Sequence, residues 1–235
     1  FFQKLQNLLG SNPSRFFMPV APFEVIDWGL TPYPEAMERQ LELVAQRLAG
    51  KIGDTLVLVE HPAVYTIGTR EGSQKHLTAS EEFLKRYNIA VEPTNRGGDI
   101  TLHAPGQLVI YPIFKLEHRD LHKHLRLVEE GIIRALGYLG LSSQRVPEKT
   151  GVWVCDKASA RKIAAIGVAV RQWVSYHGAA LNVCNDLRLF EGIVPCGLVG
   201  SAVTSVREEL KENTPTMTEV KKIVEASFAE VFAKA

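Results

Sequence analysis

Hydrophobic positions recur along the chain with two periods. After Thr31, the residues Met37, Leu41, Val44, Ala45 and Leu48 repeat at helical spacing, with Thr31 as a cap, Pro32 in a first turn and Gly50 as a stop. Thr78 and Glu81 form a capping-box pattern that opens a second helix to about Tyr87. The longest helix is predicted over 120–138, with Leu121, Leu125, Val128, Ile132, Ala135, Leu136 and Leu139 on its buried face. A last helix, capped by Thr216 or Thr218, uses Val220, Ile223, Val224, Phe228 and Val231. Short β-branched and alternating runs predict strands at 55–59, 64–67, 89–92, 100–103, 108–114, 151–155, 162–170, 173–177 and 179–183. Mixed strands with few helices and no regular βαβ alternation predict an α+β fold, a mixed sheet flanked by helices.

No repeat or polar linker divides the chain, so 24–235 reads as a single domain. Residues 1–23 read as peripheral: Phe2, Leu5, Leu8 and Leu9 make one stripe that Asn12-Pro13 and the stretch from Pro19 to Pro22 interrupt. The chain's 235 residues are 46% hydrophobic and 23% charged, which suits a packed globule and excludes general disorder. With 27 basic and 26 acidic residues there is no bulk attraction to nucleic acid or to an anionic membrane. The longest apolar run, 163–170, is too short to span a bilayer, and the first residues lack the apolar core of a signal peptide. Three cysteines, Cys155, Cys184 and Cys196, cannot all pair within the chain and show no C-x-x-C spacing. Neither a disulfide framework nor a zinc knuckle is expected, and a reducing compartment is.

Four segments stand out chemically. Arg96-Gly97-Gly98-Asp99-Ile100-Thr101-Leu102-His103-Ala104-Pro105-Gly106-Gln107 puts two glycines between polar heads, so its backbone can approach a ligand. A plain glycine hairpin feeding a strand accounts for it equally well. Lys162 heads an apolar strand and, by strict alternation, shares a face with Ala164, Ile166, Val168 and Val170. It either snorkels to the edge or sits partly desolvated, where it can accept a proton. His177-Gly178-Ala179-Ala180-Leu181-Asn182 leaves room beside the chain, although a strand-ending histidine is commonly structural. Ile193-Val194-Pro195-Cys196-Gly197 puts a thiol on a constrained loop, a candidate nucleophile beside candidate N–H donors. Cys155 and Cys184 fall in strand-like stretches and read as structural. His118, His122 and His124 have a metal-compatible spacing without supporting carboxylates, so no metal site is expected. Between 145 and 171, Arg145, Lys149, Lys157, Arg161, Lys162 and Arg171 outweigh Glu148 and Asp156, a basic rim suited to an acidic partner.

In order, these segments read Arg-Gly-Gly-x-x-Thr-x-His-x-Pro-Gly-Gln, Gly-Val-Trp, Lys-Ile-Ala, His-Gly-x-Ala-Leu-Asn and Pro-Cys-Gly. An earlier His61-Pro62-Ala63-Val64-Tyr65-Thr66-Ile67-Gly68 and a later Asp186-Leu187 and Phe190 complete the set. The series resembles the octanoyl-[acyl-carrier-protein]:protein octanoyltransferases, the lipoyl(octanoyl) transferases, from about 25 to 203. The family usually has an aromatic residue where Leu102 stands and glycine where Ala104 stands. The first bears on pocket shape; the second adds a methyl beside the histidine.

The resemblance implies a fold like that of the biotin and lipoate protein ligases. It implies that Cys196 carries the acyl thioester and Lys162 is its acid/base partner. It implies acyl binding by Arg96, Gly97, Gly98, Asp99, Ile100, Thr101, Leu102 and His103, by Ala165, Ile166 and Gly167, and by Gly178, Ala179 and Ala180, with Tyr65 and His177 in support. The implied partners are octanoyl-acyl carrier protein as donor, and lipoyl domains of 2-oxoacid dehydrogenase complexes and the glycine cleavage H protein as acceptors. No cofactor is implied. A monomer is expected, in the cytoplasm, or in an organelle matrix if a transit segment was removed. Three other readings compete: an ATP-dependent lipoate or biotin ligase of the same fold, a non-catalytic binding module, and a hydrolase pairing Cys196 with His103 or His177.

Overall fold

Strands buried on both faces make the centre of the molecule. The computed structural model describes residues 21–156, 159–194 and 202–234. Every residue of β6 (Gln107–Ile113) and of β10 (Val174–Asn182) is buried, because helices cover both sides of the sheet they share. That sheet has seven strands in the order β1-β2-β6-β10-β9-β8-β7. The others are β1 (Glu24–Leu30), β2 (Thr55–Glu60), β7 (Gln144–Val146), β8 (Lys149–Cys155) and β9 (Ala160–Arg171). Only β1 and β2 pair parallel; the remaining neighbours are antiparallel. A second sheet of β4 (Ala90–Pro93), β3 (Val64–Ile67) and β5 (Thr101–His103) has β3 parallel to β4 and antiparallel to β5.

Strand alternation sorts the core. Leu56, Leu58, Leu108, Ile110 and Leu181 face α3 (Leu121–Tyr138) and α5 (Met217–Phe232). Val57, Val59, Val109 and Tyr111 face the opposite way, into a cluster with Val44 of α1 (Tyr33–Leu48). The small sheet closes over Tyr65, Ile100, Leu102, Leu189 and Ile193 and is flanked by α2 (Glu81–Tyr87). A short α4 (Val206–Leu210) precedes α5. The arrangement is the α+β sandwich that the sequence pattern predicts.

Several local expectations change. Thr31 does not cap α1: its hydroxyl donates to the Trp28 carbonyl, and Pro32 occupies the cap position. Ser80, not Thr78, caps α2. Thr216 caps α5 in a full capping box with Glu219. β1 and β7 were not predicted. Phe23, assigned to the peripheral segment, is a core residue stacked on Phe114 at 5.1 Å. Cys184 lies in a bend beyond β10 rather than in a strand, and both Cys155 and Cys184 are half-buried.

The two strands expected at 173–177 and 179–183 are one. The cause is Pro112, which sits in the sheet interior and has no N–H to give. Pairing with β6 runs to Ala179↔Ile110 and resumes where the Ser175 N–H donates to the Phe114 carbonyl, in the same register. His177 therefore stands opposite Pro112. It takes φ 54°, and its N–H turns to Gln40 Oε1 at 2.8 Å. That bond explains why Gln40 is fully buried on α1. Gly178 follows because a Cβ there would collide with the Ile110 carbonyl oxygen.

Candidate active site

A cavity of about 610 Å³ opens where the small sheet meets β9 and β10. The predicted residues Arg96, Gly97, Gly98, Asp99, Ile100, Thr101 and His103 line one side. Lys162, Ala165, Ile166, Gly167, His177, Gly178, Ala179 and Ala180 line the other. Leu121 and Leu125 of α3 and Phe190 add apolar wall. Two predicted residues are not in this lining. Leu102 is fully buried in the small-sheet core, so its departure from the family pattern changes packing behind the wall. Tyr65 is buried there too, and its hydroxyl donates to the Leu189 carbonyl. Burial, then Glu191, pushes the Tyr65 phenol up to about 12, so it remains a donor. Cys196 lies outside the described residues.

The small-sheet wall is tied together by polar contacts. Arg96 is buried; its guanidinium donates to the Thr66 hydroxyl and carbonyl and to the Gly97 carbonyl. His103 Nδ1 lies 2.9 Å from Gln107 Oε1, while the Gln107 amide nitrogen donates to the Leu102 carbonyl and to Asn182 Oδ1. Those two bonds fix the amide orientation, so His103 carries its proton on Nδ1. Asn182 in turn donates to the Thr204 carbonyl. His61 donates from Nδ1 to the Thr31 carbonyl and accepts from the Tyr111 hydroxyl at Nε2. His177 donates from Nε2 to Asn95 Oδ1 at 2.7 Å, an orientation set by the Asn95 amide donating to Tyr176.

These histidines are neutral at pH 7. Burial pulls His61 down to about 4; burial and then Arg96 pull His177 down to about 3. Burial, with His61 and Arg96 as neighbours, holds His103 well below the usual imidazole range. Tyr33 stacks on His103 at 5.9 Å, and burial raises both Tyr33 and Tyr111. Burial raises the Asp99 carboxyl, but bonds from His76, the Ile100 N–H and Ser73 outweigh it and leave Asp99 below its ordinary value.

The opposite wall carries Lys162. Strict alternation would give it the face of Ala164, which is core. Instead the register with β8 slips: Val152 pairs with Ala164 and Trp153 pairs with Lys162, so one step on β8 answers two on β9. Ile163 and Ala164 consequently both enter the same core cluster, and Lys162 reaches the cavity. The Lys162 N–H donates to the Ala202 carbonyl and its carbonyl accepts from the Thr204 N–H, a parallel bridge to Val203. On the other side of 195–201, the Val194 N–H donates to the His76 carbonyl. Phe190 and Val203, one from each flank of that segment, both line the cavity.

The basic rim is thinner than its composition. Arg145 is paired with Glu129 and Glu130, and Arg161 with Asp156 and Glu209. Lys149 and Arg171 remain exposed, and Lys157 is outside the described residues. His118 and His122 are exposed while His124 is buried, and no metal-holding group of three His, Cys, Asp or Glu exists among the described residues. No helix among them is long and apolar enough to cross a membrane. Sequence reasoning missed Tyr33, Arg70, Gln107, Tyr111 and Asn182 as wall residues. Gln107 and Asn182 stood inside quoted motifs, but nothing local marks Tyr33 or Tyr111, which tertiary packing brings to the site.

A mixed sheet with a small capping sheet, a cavity between them and a lysine at its wall defines a lipoate- and biotin-ligase type of α+β domain. The archaeal bipartite lipoate protein ligase with its E2 lipoyl domain, from Thermoplasma acidophilum, superposes with TM-score 0.69 at 18% identity, covering 91% of this chain and 85% of that one. The biotin protein ligase of Aquifex aeolicus in complex with biotin and ATP gives 0.54 at 12%, covering 90% and 71%. Residues 32–229 match the lipoyl protein ligase A/B catalytic domain. An octanoyltransferase of Rubrobacter xylanophilus is 48% identical over 204 residues, 86% of this chain and 90% of that protein. This chain belongs to the lipoyl protein ligase A/B catalytic-domain family.

Proposed function

We propose that the chain is an octanoyltransferase of protein lipoylation that works in two steps through Cys196. The Cys196 sulfur attacks the thioester carbonyl of octanoyl-acyl carrier protein. The new S–C bond forms as the carrier's C–S bond breaks, and the carrier leaves as a thiol after taking one proton. A lysine amine of an apo lipoyl domain then attacks the acyl-Cys196 thioester. The amide forms, the Cys196 sulfur leaves, and the amine gives up one proton. Lys162 relays the proton in both steps. Splitting the transfer lets two protein partners use one site in turn.

The observation that carries this reading is the backbone pairing of Lys162 with residues 202–204, which ties the cavity's lysine to the segment that follows Cys196. Relatives named octanoyltransferase at 48% and 42% identity support the acyl group. The apolar wall of Ala165, Ile166, Ala179, Ala180, Leu121 and Leu125 suits an alkyl tail. Each buried methylene contributes about 0.8 kcal/mol. The acceptors on this reading are lipoyl domains of 2-oxoacid dehydrogenase complexes and the glycine cleavage H protein, met in the cytoplasm by a monomer.

The test is a transfer assay with octanoyl-acyl carrier protein, an apo lipoyl domain and no ATP. Mass spectrometry should find one octanoyl group on the lipoyl domain, and Lys162→Ala should slow its appearance by orders of magnitude. Transfer that needs ATP and free octanoate, and survives Cys196→Ala, would instead make the protein a ligase.

A further inference from the structure

The Gly151-Val152-Trp153 segment has so far only a structural place, as the strand beside Lys162. Trp153 is the direct cross-strand neighbour of Lys162, and the lysine Nζ lies 4.7 Å from the indole centroid. The ring is fixed: Trp153 is 1% exposed, and its Nε1–H donates to the Lys149 carbonyl at 3.2 Å. Gly151 has φ 122°, and a Cβ there would stand 2.6 Å from the Ala164 carbonyl oxygen and 3.4 Å from Lys162 Cε. The lysine stem thus runs past a residue with no side chain and its head meets an aromatic face.

We propose that Trp153 is a positioning residue that holds Lys162 as an ammonium ion over its face, so that the transfer begins from a thiolate–ammonium pair. The inference rests on the two-step reading above. An indole face attracts a cation through its quadrupole and offers no comparable attraction to a neutral amine. The ammonium gives its proton to the departing carrier thiolate in the first step. The resulting neutral amine takes a proton from the attacking lysine in the second, which restores the starting pair.

Other charges surround the lysine. Lys149 approaches the same ring at 5.6 Å, and Glu148 lines the cavity beside it. Glu129 of α3 accepts from the Gly151 N–H, and Glu209 of α4 is held by Arg161 and the Thr204 hydroxyl. Across the cavity stand Arg70, Arg96, Asp99, His103 and His177. None of these is altered by changing Trp153.

The experiment follows iodoacetamide alkylation of Cys196 against pH in the full chain, with peptide mapping to separate it from Cys155 and Cys184. Trp153→Leu should move the Cys196 inflection upward by about half to one pH unit and lower kcat about tenfold with KM little changed. Trp153→Phe, which keeps a weaker aromatic face, should move it less. In a Lys162→Gln background Trp153→Leu should cause no further shift, whereas a merely structural role would still add one. A wild-type inflection in folded Trp153→Leu, or a shift that persists without Lys162, would overturn the inference. Should Trp153→Leu fail to fold, an unchanged inflection in Trp153→Phe overturns it. Alkylation needs no acyl donor, so these outcomes are distinct from the absence of an acyl adduct on wild-type enzyme, which would overturn the transfer reading.

Discussion

The two walls of the cavity differ in what they can do with a proton. On the small-sheet wall the ring N–H of each histidine is directed to a carbonyl oxygen: Thr31 for His61, Gln107 for His103, Asn95 for His177. Burial keeps all three neutral and keeps Tyr33 and Tyr111 protonated, while Arg96 supplies a fixed positive charge. These groups do not change state near neutral pH. The β8–β9 wall carries Lys162 at a slipped register, with its head on Trp153 and its backbone on 202–204. One wall is a rigid frame of constant charge, and the other carries the group that exchanges protons. A frame of that kind stabilises charge development without taking part in it.

The contrast can be broken in graded ways. The largest effect is expected from acid. A histidine whose folded-state value is depressed binds fewer protons folded than unfolded, so its stabilisation is complete above about pH 6.5 and falls away below it. His61, with a value of about 4, and His177, with about 3, should each remove about 1.4 kcal/mol per pH unit between 6.5 and those values. Urea midpoints at pH 7.5, 6 and 5 should decline together with this slope, and flat midpoints would mean that the frame is already charged. Next comes Gln107→Leu, which strands the His103 N–H, the Leu102 carbonyl and Asn182 Oδ1. A loss of about 3 kcal/mol is expected by urea unfolding. Arg145→Ala acts behind the other wall. Glu129 keeps Arg126 and the Gly151 N–H, so about 1 kcal/mol should be lost. Tyr65→Phe is the mildest: it removes only the bond to the Leu189 carbonyl ahead of Val194, and should cost up to about 1 kcal/mol in the same assay.

The same contrast explains how much could be read in advance. Segments 96–103, 165–167 and 178–180 meet at one cavity because each lies on a strand, or on a turn beside one, whose pattern was plain in the sequence. Lys162 was identified, but by parity its side chain belonged with Ala164; a one-residue slip around Ile163 decides otherwise, and slips depend on the partner strand. His177 was placed at a strand end, whereas Pro112, sixty-five positions earlier, interrupts pairing and leaves it inside a continuous strand. Gln40 read as solvent-facing on α1 because the N–H it satisfies belongs to that distant irregularity. The basic rim read as free charge because Glu129, Glu130 and Glu209 lie outside the window that was counted. Elements follow local periodicity; the orientation of each chemical head follows pairing between remote strands.

The central claim is that the acyl group passes through Cys196. An intact-protein mass spectrum after incubation with octanoyl-acyl carrier protein should show one octanoyl adduct, mapped to the peptide carrying Cys196 and absent in Cys196→Ala. No adduct, or an adduct on Cys155 or Cys184, would contradict it.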